Sequence, residues 1–257
     1  MLLIDTHAHL NLKIFDKDLN NVIQRAFSNN VKYFIVPGLD QKTNIKAIEL
    51  ASKHSFIKVA VGIHPCYWQN ENPLNIEKYL KKKNSQIIAI GEIGLDLCHE
   101  KDSLNIQKKN LEIQINLALK YNLPLILHAR QSFEELYQIL LPYKNRLRGV
   151  FHCLVTSFEE AKKAIELGFY IGIGGIITYE KALEAHKIAK YIPLENIFLE
   201  TDSPFLTPYP IEKSKRNEPA FIKIIAEKIA SLRNITLEKV AQQTTSNVQK
   251  LFSLDIS

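Results

Sequence analysis

Short apolar runs alternate with longer amphipathic stretches from one end of the chain to the other. Eight runs read as strands: residues 2–5, 32–36, 57–61, 87–90, 123–127, 149–151, 169–172 and 196–199. The stretches between them carry helix signals. Ser132 with Glu135, and Ser157 with Glu160, have the S-x-x-E spacing of a capping box. After Ser157, the residues Phe158, Ala161, Ala164, Ile165 and Leu167 fall on one face at helical spacing, and Leu104, Leu111, Ile115 and Ala118 do so after Ser103. Two more helices are predicted over 219–232 and 236–252, with Pro219 suited to a first helical position.

Apolar runs alternating with amphipathic helices are the mark of βα units around a parallel sheet. Eight such units predict an α/β chain closed into a single (β/α)8 TIM barrel, one domain over residues 1–257. An open, doubly wound sheet competes, but no Gly-rich dinucleotide fingerprint follows the first run. The length of 257 residues supports the barrel, which typically takes about 250. No Gly/Ser tract, low-complexity block or repeat interrupts the chain.

Composition adds three points. Asp5, His7 and His9 break up the first ten residues, against a signal peptide, and no apolar run approaches a membrane span. Cys66, Cys98 and Cys153 are odd in number and widely spaced, as reduced thiols of a cytoplasmic protein would be. Cys153, beside His152, reads as a buried thiol ahead of a nucleophile or ligand. The net charge of +6 favours a polyanionic partner, although a lysine-rich solvated surface accounts for it equally well.

The chemistry lies where the runs end. His7 and His9 follow the first run at i, i+2 spacing, which in extended chain turns both imidazoles to one side. His64 follows the third run, Glu92 the fourth, His128 the fifth, His152 the sixth and Asp202 the eighth. In a barrel these ends share one mouth, where active sites lie. Packing alone would not gather histidines and carboxylates there, because buried like charges repel unless cations neutralise them. The mixture suits divalent transition metals or Mg.

The same residues carry a resemblance. Asp5-Thr6-His7-Ala8-His9-Leu10, Gly62-Ile63-His64-Pro65, Gly91-Glu92-Ile93-Gly94-Leu95-Asp96, the segment Leu123-Pro124-Leu125-Ile126-Leu127-His128-Ala129-Arg130 and Leu199-Glu200-Thr201-Asp202-Ser203-Pro204 resemble, in order, the TatD family of metal-dependent deoxyribonucleases. The likeness continues through Arg216-Asn217-Glu218-Pro219 and so covers the whole chain. It implies a two-metal barrel hydrolase acting on DNA phosphodiesters. Carried over by position, one metal would take His7, His9, Glu92 and Asp202; the other would take His128 and His152, with Glu92 bridging. His64 would face the site in a substrate-binding or supporting role. Leu97-Cys98-His99 after Asp96 and Leu154-Val155-Thr156 after Cys153 depart from the family's pattern, outside the metal set.

The expected reaction is attack of water on phosphorus, the water acidified by a metal from a pKa of 15.7 towards ~7. Asp202 either orients and deprotonates that water or only ligates; Glu92 shares the catalytic role as bridge. Arg130 and Arg216 are candidates to grip phosphate oxygens, with ordinary salt bridges as the alternative. The expected cofactors are two divalent ions (Mg, Mn or Zn) and the expected partner is DNA, with neither membrane nor obligate protein partner. A metal-dependent amidohydrolase or lactonase is the alternative enzyme, but many of those carry a carboxylated lysine, and no lysine ends the fourth run. A nucleic-acid-binding protein with a structural metal is the remaining alternative; closed zinc sites favour cysteine.

Overall fold

The computed structural model describes residues 1–69, 71–99, 103–154 and 156–255. Among them, eight strands pair side by side in chain order: β1 (Leu3–Asp5), β2 (Val31–Pro37), β3 (Ile57–Val61), β4 (Ile87–Asp96), β5 (Leu125–Arg130), β6 (Gly149–Phe151), β7 (Phe169–Ile173) and β8 (Ile197–Leu199). Each consecutive pair is parallel. The first and last strands meet just beyond their ends. The Thr6 N–H donates to the Leu199 carbonyl, Asp202 N–H to His7, and His9 N–H to Ser203. The sheet is thus a nearly closed (β/α)8 barrel, as the alternation predicts, and its parallel strands put every C-terminal end on one rim.

The fourth strand runs six residues past its apolar run, to Asp96. Two glycines permit this. A side chain on Gly94 would place its Cβ 1.9 Å from the His128 carbonyl oxygen, and the residue's φ of +144° is one that glycine alone adopts readily. A Cβ on Gly91 would stand 2.6 Å from that of Ile126. The close approach lets β4 and β5 pair as far as Asp96 and Arg130.

The helices are α1 (Leu19–Ser28), α2 (Gln41–Lys53), α3 (Glu77–Leu80), α4 (Leu104–Tyr121), α5 (Phe133–Leu140), α6 (Phe158–Glu166), α7 (Leu183–Tyr191), α8 (Ile222–Arg233) and α9 (Leu237–Phe252). The Ser157–Glu160 capping box forms at α6. The one expected at Ser132 does not: that hydroxyl donates instead to the Leu95 carbonyl, tying the start of α5 to β4. A box that the S-x-x-E pattern does not match, Asp40 with Thr43, starts α2. Pro219 opens a 3₁₀ turn ahead of α8, and Thr236 caps α9.

Strand alternation divides the core. Leu3, Phe34, Val59, Leu125, Phe151, Phe169 and Ile197 belong to the cluster that includes buried residues of the helices. Ile4, Ile35, Ala60, Ile88, Ile126, Val150 and Phe198 form a second cluster, joined by Val248, Leu251 and Phe252 at the end of α9. The last helix therefore closes on the barrel interior and leaves the opposite rim to the polar side chains. No helix among the described residues is long and apolar enough to cross a membrane.

Candidate metal centre

Five rim histidines converge on Glu92. The carboxylate is 2% exposed, held where the Glu92 N–H donates to the Gly38 carbonyl. Its two oxygens face different partners. Oε2 lies 3.1 Å from His7 Nε2 and 3.5 Å from His9 Nε2. Oε1 lies 3.0 Å from both His128 Nδ1 and His152 Nε2, and 3.3 Å from His64 Nε2. Asp202 completes the first group, its Oδ1 being 3.3 Å from His9 Nε2 and 3.8 Å from His7 Nε2. Asp202 adopts a φ of 57°, a left-handed conformation in which Asp is one of the more tolerated residues.

This donor set fits cations. The Nε2 atoms of His7 and His9 stand 3.2 Å apart, while their Nδ1 atoms are buried without hydrogen-bond partners. Each ring thus turns one lone pair towards the carboxylates, an arrangement that positive charge between them would satisfy. His7, Glu92 and His152, and again His7, His9 and Asp202, bring ligand atoms within 4.8 Å of one another. Burial pushes the Glu92 carboxyl up, but His152, His64, His7 and the His128 hydrogen bond together outweigh it and hold it well below the usual range. Burial likewise pushes Asp202 up, and His9, His152 and His7 bring it below its ordinary value. Both carboxylates are therefore ionised at neutral pH. Among the imidazoles, burial opposes charge on His152, but Glu92 and Glu200 raise it well above the usual range.

Contacts on the far side of the His128, His152 and His64 rings orient them. His128 Nε2 lies 3.1 Å from Asp96 Oδ2, so Nε2 carries the proton and Nδ1 turns its lone pair to the centre. Asp96 is itself fixed by the N–H groups of Cys98 and His99 on Oδ1. His152 Nδ1 faces Glu200 Oε1 at 3.5 Å, leaving Nε2 for the centre. His64 is different. The Cys66 N–H donates to its Nδ1 at 3.0 Å, which places the ring proton on Nε2, the atom directed at Glu92. In that tautomer His64 donates and does not ligate. Burial lowers its pKa to about 4, so the ring is neutral.

The two arginines part company. Arg130, at the end of β5, is exposed, and its charge acts on Cys153 at the rim. Arg216 is committed elsewhere: it donates to both oxygens of Asp18, at 2.9 and 2.7 Å, to Glu218 Oε1 at 2.8 Å and to the Ile14 carbonyl. A phosphate there would have to displace a carboxylate, so the structure gives Arg216 the salt-bridge role. Cys153 is half-buried, and burial followed by Glu200, Asp202 and Glu92 pushes its thiol well above the usual range, against a nucleophile. Val155, in the segment that departs from the family pattern, lies outside the described residues.

Two supporting carboxylates escape the sequence reading, Asp96 and Glu200. Glu92 and Asp96 are four apart on one strand and so share a face; the signal becomes visible only when β4 is drawn to its full length. Glu200 accepts from the Cys153 N–H as well as facing His152. The absence of a side chain at Gly172 makes room for it, since a Cβ there would come 2.4 Å from Glu200 Oε2.

Comparison with known proteins shows the family. The family model for TatD-related DNases matches residues 4–253. The uncharacterized metal-dependent hydrolase YabD of Bacillus subtilis is 38% identical over 257 residues, spanning 99% of this chain and all of the relative. The Salmonella typhimurium protein named 3'-5' ssDNA/RNA exonuclease TatD is 30% identical, with 98% of this chain and 99% of the relative covered. The crystal structure of YjjV, a TatD homolog from Escherichia coli, superposes with a TM-score of 0.93 at 29% identity, covering 98% of each chain.

Proposed function

The chain belongs to the family of TatD-related DNases and is a metal-dependent hydrolase; on that premise we propose that it cleaves DNA phosphodiester bonds, working from a strand end, with two divalent cations (Mg, Mn or Zn) at the barrel mouth. The observation that carries the two-cation reading is Glu92, which turns one oxygen to His7 and His9 and the other to His128 and His152. Asp202 completes the first set. The name of the Salmonella relative supports the exonucleolytic mode. The reading places the enzyme in the cytoplasm, with DNA as partner and neither a membrane nor an obligate protein partner.

Divalent cations held there by His7, His9, Glu92, His128, His152 and Asp202 would supply Lewis acidity, polarising a phosphoryl oxygen and acidifying water. Asp202, ionised and at the open edge of the cluster, orients the attacking water and accepts its proton. As that oxygen bonds to phosphorus, the P–O bond to the leaving sugar oxygen breaks, and the sugar oxygen takes up a proton, from Asp202 or from solvent, to leave as the alcohol. His64 turns its Nε2–H to Glu92 and so supports the shared carboxylate from the substrate side. Asp96 and Glu200 hold the His128 and His152 rings with their inward nitrogens aimed at the centre, where a bound cation would take the place of a proton. Arg130 takes a neighbouring phosphate.

End-labelled single-stranded DNA, duplex DNA, RNA and a model phosphodiester, each assayed after chelation and then with Mg, Mn or Zn restored, test the proposal. DNA should shorten from an end only in the restored samples. Full activity in protein shown metal-free by elemental analysis, or turnover of lactones and amides but not of phosphodiesters, would overturn it.

A further inference from the structure

A second kind of donor set lies beside the centre. Cys66, Asp96 and His99 bring Sγ, a carboxylate oxygen and an imidazole nitrogen within 4.8 Å of one another. The group joins two stretches: Cys66 comes from the loop after β3, while Asp96 is the last residue of β4 and His99 lies in the turn just beyond it. Asp96 is 1% exposed, and its position is set by the backbone N–H groups of Cys98 and His99 and by His128. His99 Nδ1 lies 3.1 Å from Asp96 Oδ2, with its ring half in solvent. Cys66 is partly exposed and forms no disulfide. A fixed buried carboxylate thus stands at the base of the group, with two reachable donors above it.

We propose that Cys66, Asp96 and His99 form a third cation site, sulfur-containing and selective for zinc, at the rim of the barrel. Thiolate and imidazole together favour a borderline-soft ion over Mg or Mn. Zn–S bonds of about 2.3 Å and Zn–N and Zn–O bonds of about 2.0–2.2 Å bring tetrahedral donors to roughly 3.3–3.8 Å from one another. His99 Nδ1 and Asp96 Oδ2 already stand 3.1 Å apart, and all three donors lie within 4.8 Å of one another, so binding draws them together by small side-chain movements. Three protein donors leave a fourth position open, as in zinc sites that exchange a ligand. Binding exchanges the thiol proton for the cation.

The site is coupled to the main centre through one residue. Asp96 Oδ2 accepts from His128 Nε2 and also faces His99. A cation on Asp96 draws charge from that carboxylate, weakens its hold on the His128 N–H and makes the inward Nδ1 a poorer donor to its own ion. Zinc at the rim therefore tunes the second histidine cluster without displacing any of its members. His99 and the adjoining Cys98 lie in the segment where the chain departs from the family pattern, which makes the rim site a property of this chain's own residues.

Cobalt(II) titration of the metal-free protein, with a thiolate-to-cobalt charge-transfer band as readout, tests the assignment independently of any substrate. The wild type should show the band and bind one more equivalent of zinc than Cys66→Ser, which should lose the band. Cys98→Ser and Cys153→Ser should both keep it. His99→Ala should weaken the zinc affinity of the additional equivalent at least tenfold. Circular dichroism establishes that each variant is folded. No thiolate band in the wild type overturns the proposal, as does a band that survives Cys66→Ser or disappears with Cys98→Ser or Cys153→Ser.

Discussion

Glu92→Gln keeps the shape of the side chain and removes its charge at the point where the two histidine clusters meet. The cost can be worked from the geometry. Paired cations in hydrolase sites stand about 3.5–4 Å apart. Two unit charges about 4 Å apart interact by about 4 kcal/mol at an effective dielectric constant of about 20, so two dications repel by about 16 kcal/mol. Two carboxylates face the clusters directly, Glu92 and Asp202, and Asp202 reaches only His7 and His9. With Gln at 92, His128 and His152 are left with no anionic partner on the inward side. The cation on their side should therefore be lost first.

Removing a partner that merely orients a ligand costs 10–100-fold in affinity or activity, so removing the shared carboxylate should cost at least about 100-fold in rate. Elemental analysis after dialysis counts the retained cations, and single-turnover cleavage of labelled DNA measures the rate. Thermal unfolding should be close to that of the wild type in the metal-free state, because a rim side chain contributes little to the packed barrel layers. His54→Gln, at the end of α2 on the other side of the molecule from the strand ends, is the control and should keep activity. Two retained cations with near-normal turnover in Glu92→Gln would refute the bridging geometry and the placement of the centre.

Asp96→Asn should lower metal affinity at the His128 cluster by about 10–100-fold without unfolding the barrel; unchanged metal content by titration would show that His128 needs no partner. Arg216→Met should destabilise the protein by about 1–2 kcal/mol in urea unfolding, the scale of a bidentate, partly exposed ion-pair network. Its hydrogen bonds hold Asp18 below the ordinary range; burial pushes Glu218 up, but Arg25 and Arg216 bring it below as well. The stabilisation is therefore complete above pH about 4–5 and fades as pH falls through the folded values, so the variant should converge on the wild type in acid. Unchanged stability combined with a tenfold higher KM would return Arg216 to phosphate binding. In a cleavage-dead variant, DNA affinity should fall with salt, and Arg130→Ala should reduce the slope of log K against log salt by about one; an unaltered slope would remove Arg130 from the DNA path.

The barrel was legible because its evidence is repeated. Each apolar run lies within two residues of a strand start, and the order β1 to β8 follows from short βα connections that leave neighbours in sequence as neighbours in space. The convergence of the candidate ligands is legible for a related reason. Parallel strands collect their C-terminal ends, so a titratable residue after a run can be assigned to the mouth without knowledge of any distance. That argument reaches His7, His9, His64, Glu92, His128, His152 and Asp202 alike, and the structure puts all seven around one carboxylate and its neighbours. It does not rank them. His64 is separated from the ligands by one backbone hydrogen bond, from Cys66 to Nδ1, and no spacing along the chain encodes a tautomer.

The residues that sequence reasoning missed are those whose role exists only across strands. Asp96 acts on His128 because β4 and β5 pair to their ends, which requires Gly94 to admit the His128 carbonyl. Glu200 acts on His152 because Gly172 leaves the space its carboxylate occupies. In each case a glycine on one strand admits backbone or side chain from another, and a carboxylate then meets a histidine from a different βα unit. Apolar periodicity carries no trace of such an arrangement, because a missing side chain adds nothing to the pattern. Arg216 fails in the opposite direction. It stands just before Pro219, where a helix is expected to start, but α8 begins three residues after Pro219, following a 3₁₀ turn, and Asp18 and Glu218 have already taken the guanidinium. A cation near a helix start is a candidate anion site only while its donors are unclaimed, and the claim here comes from Asp18, nearly two hundred residues away along the chain.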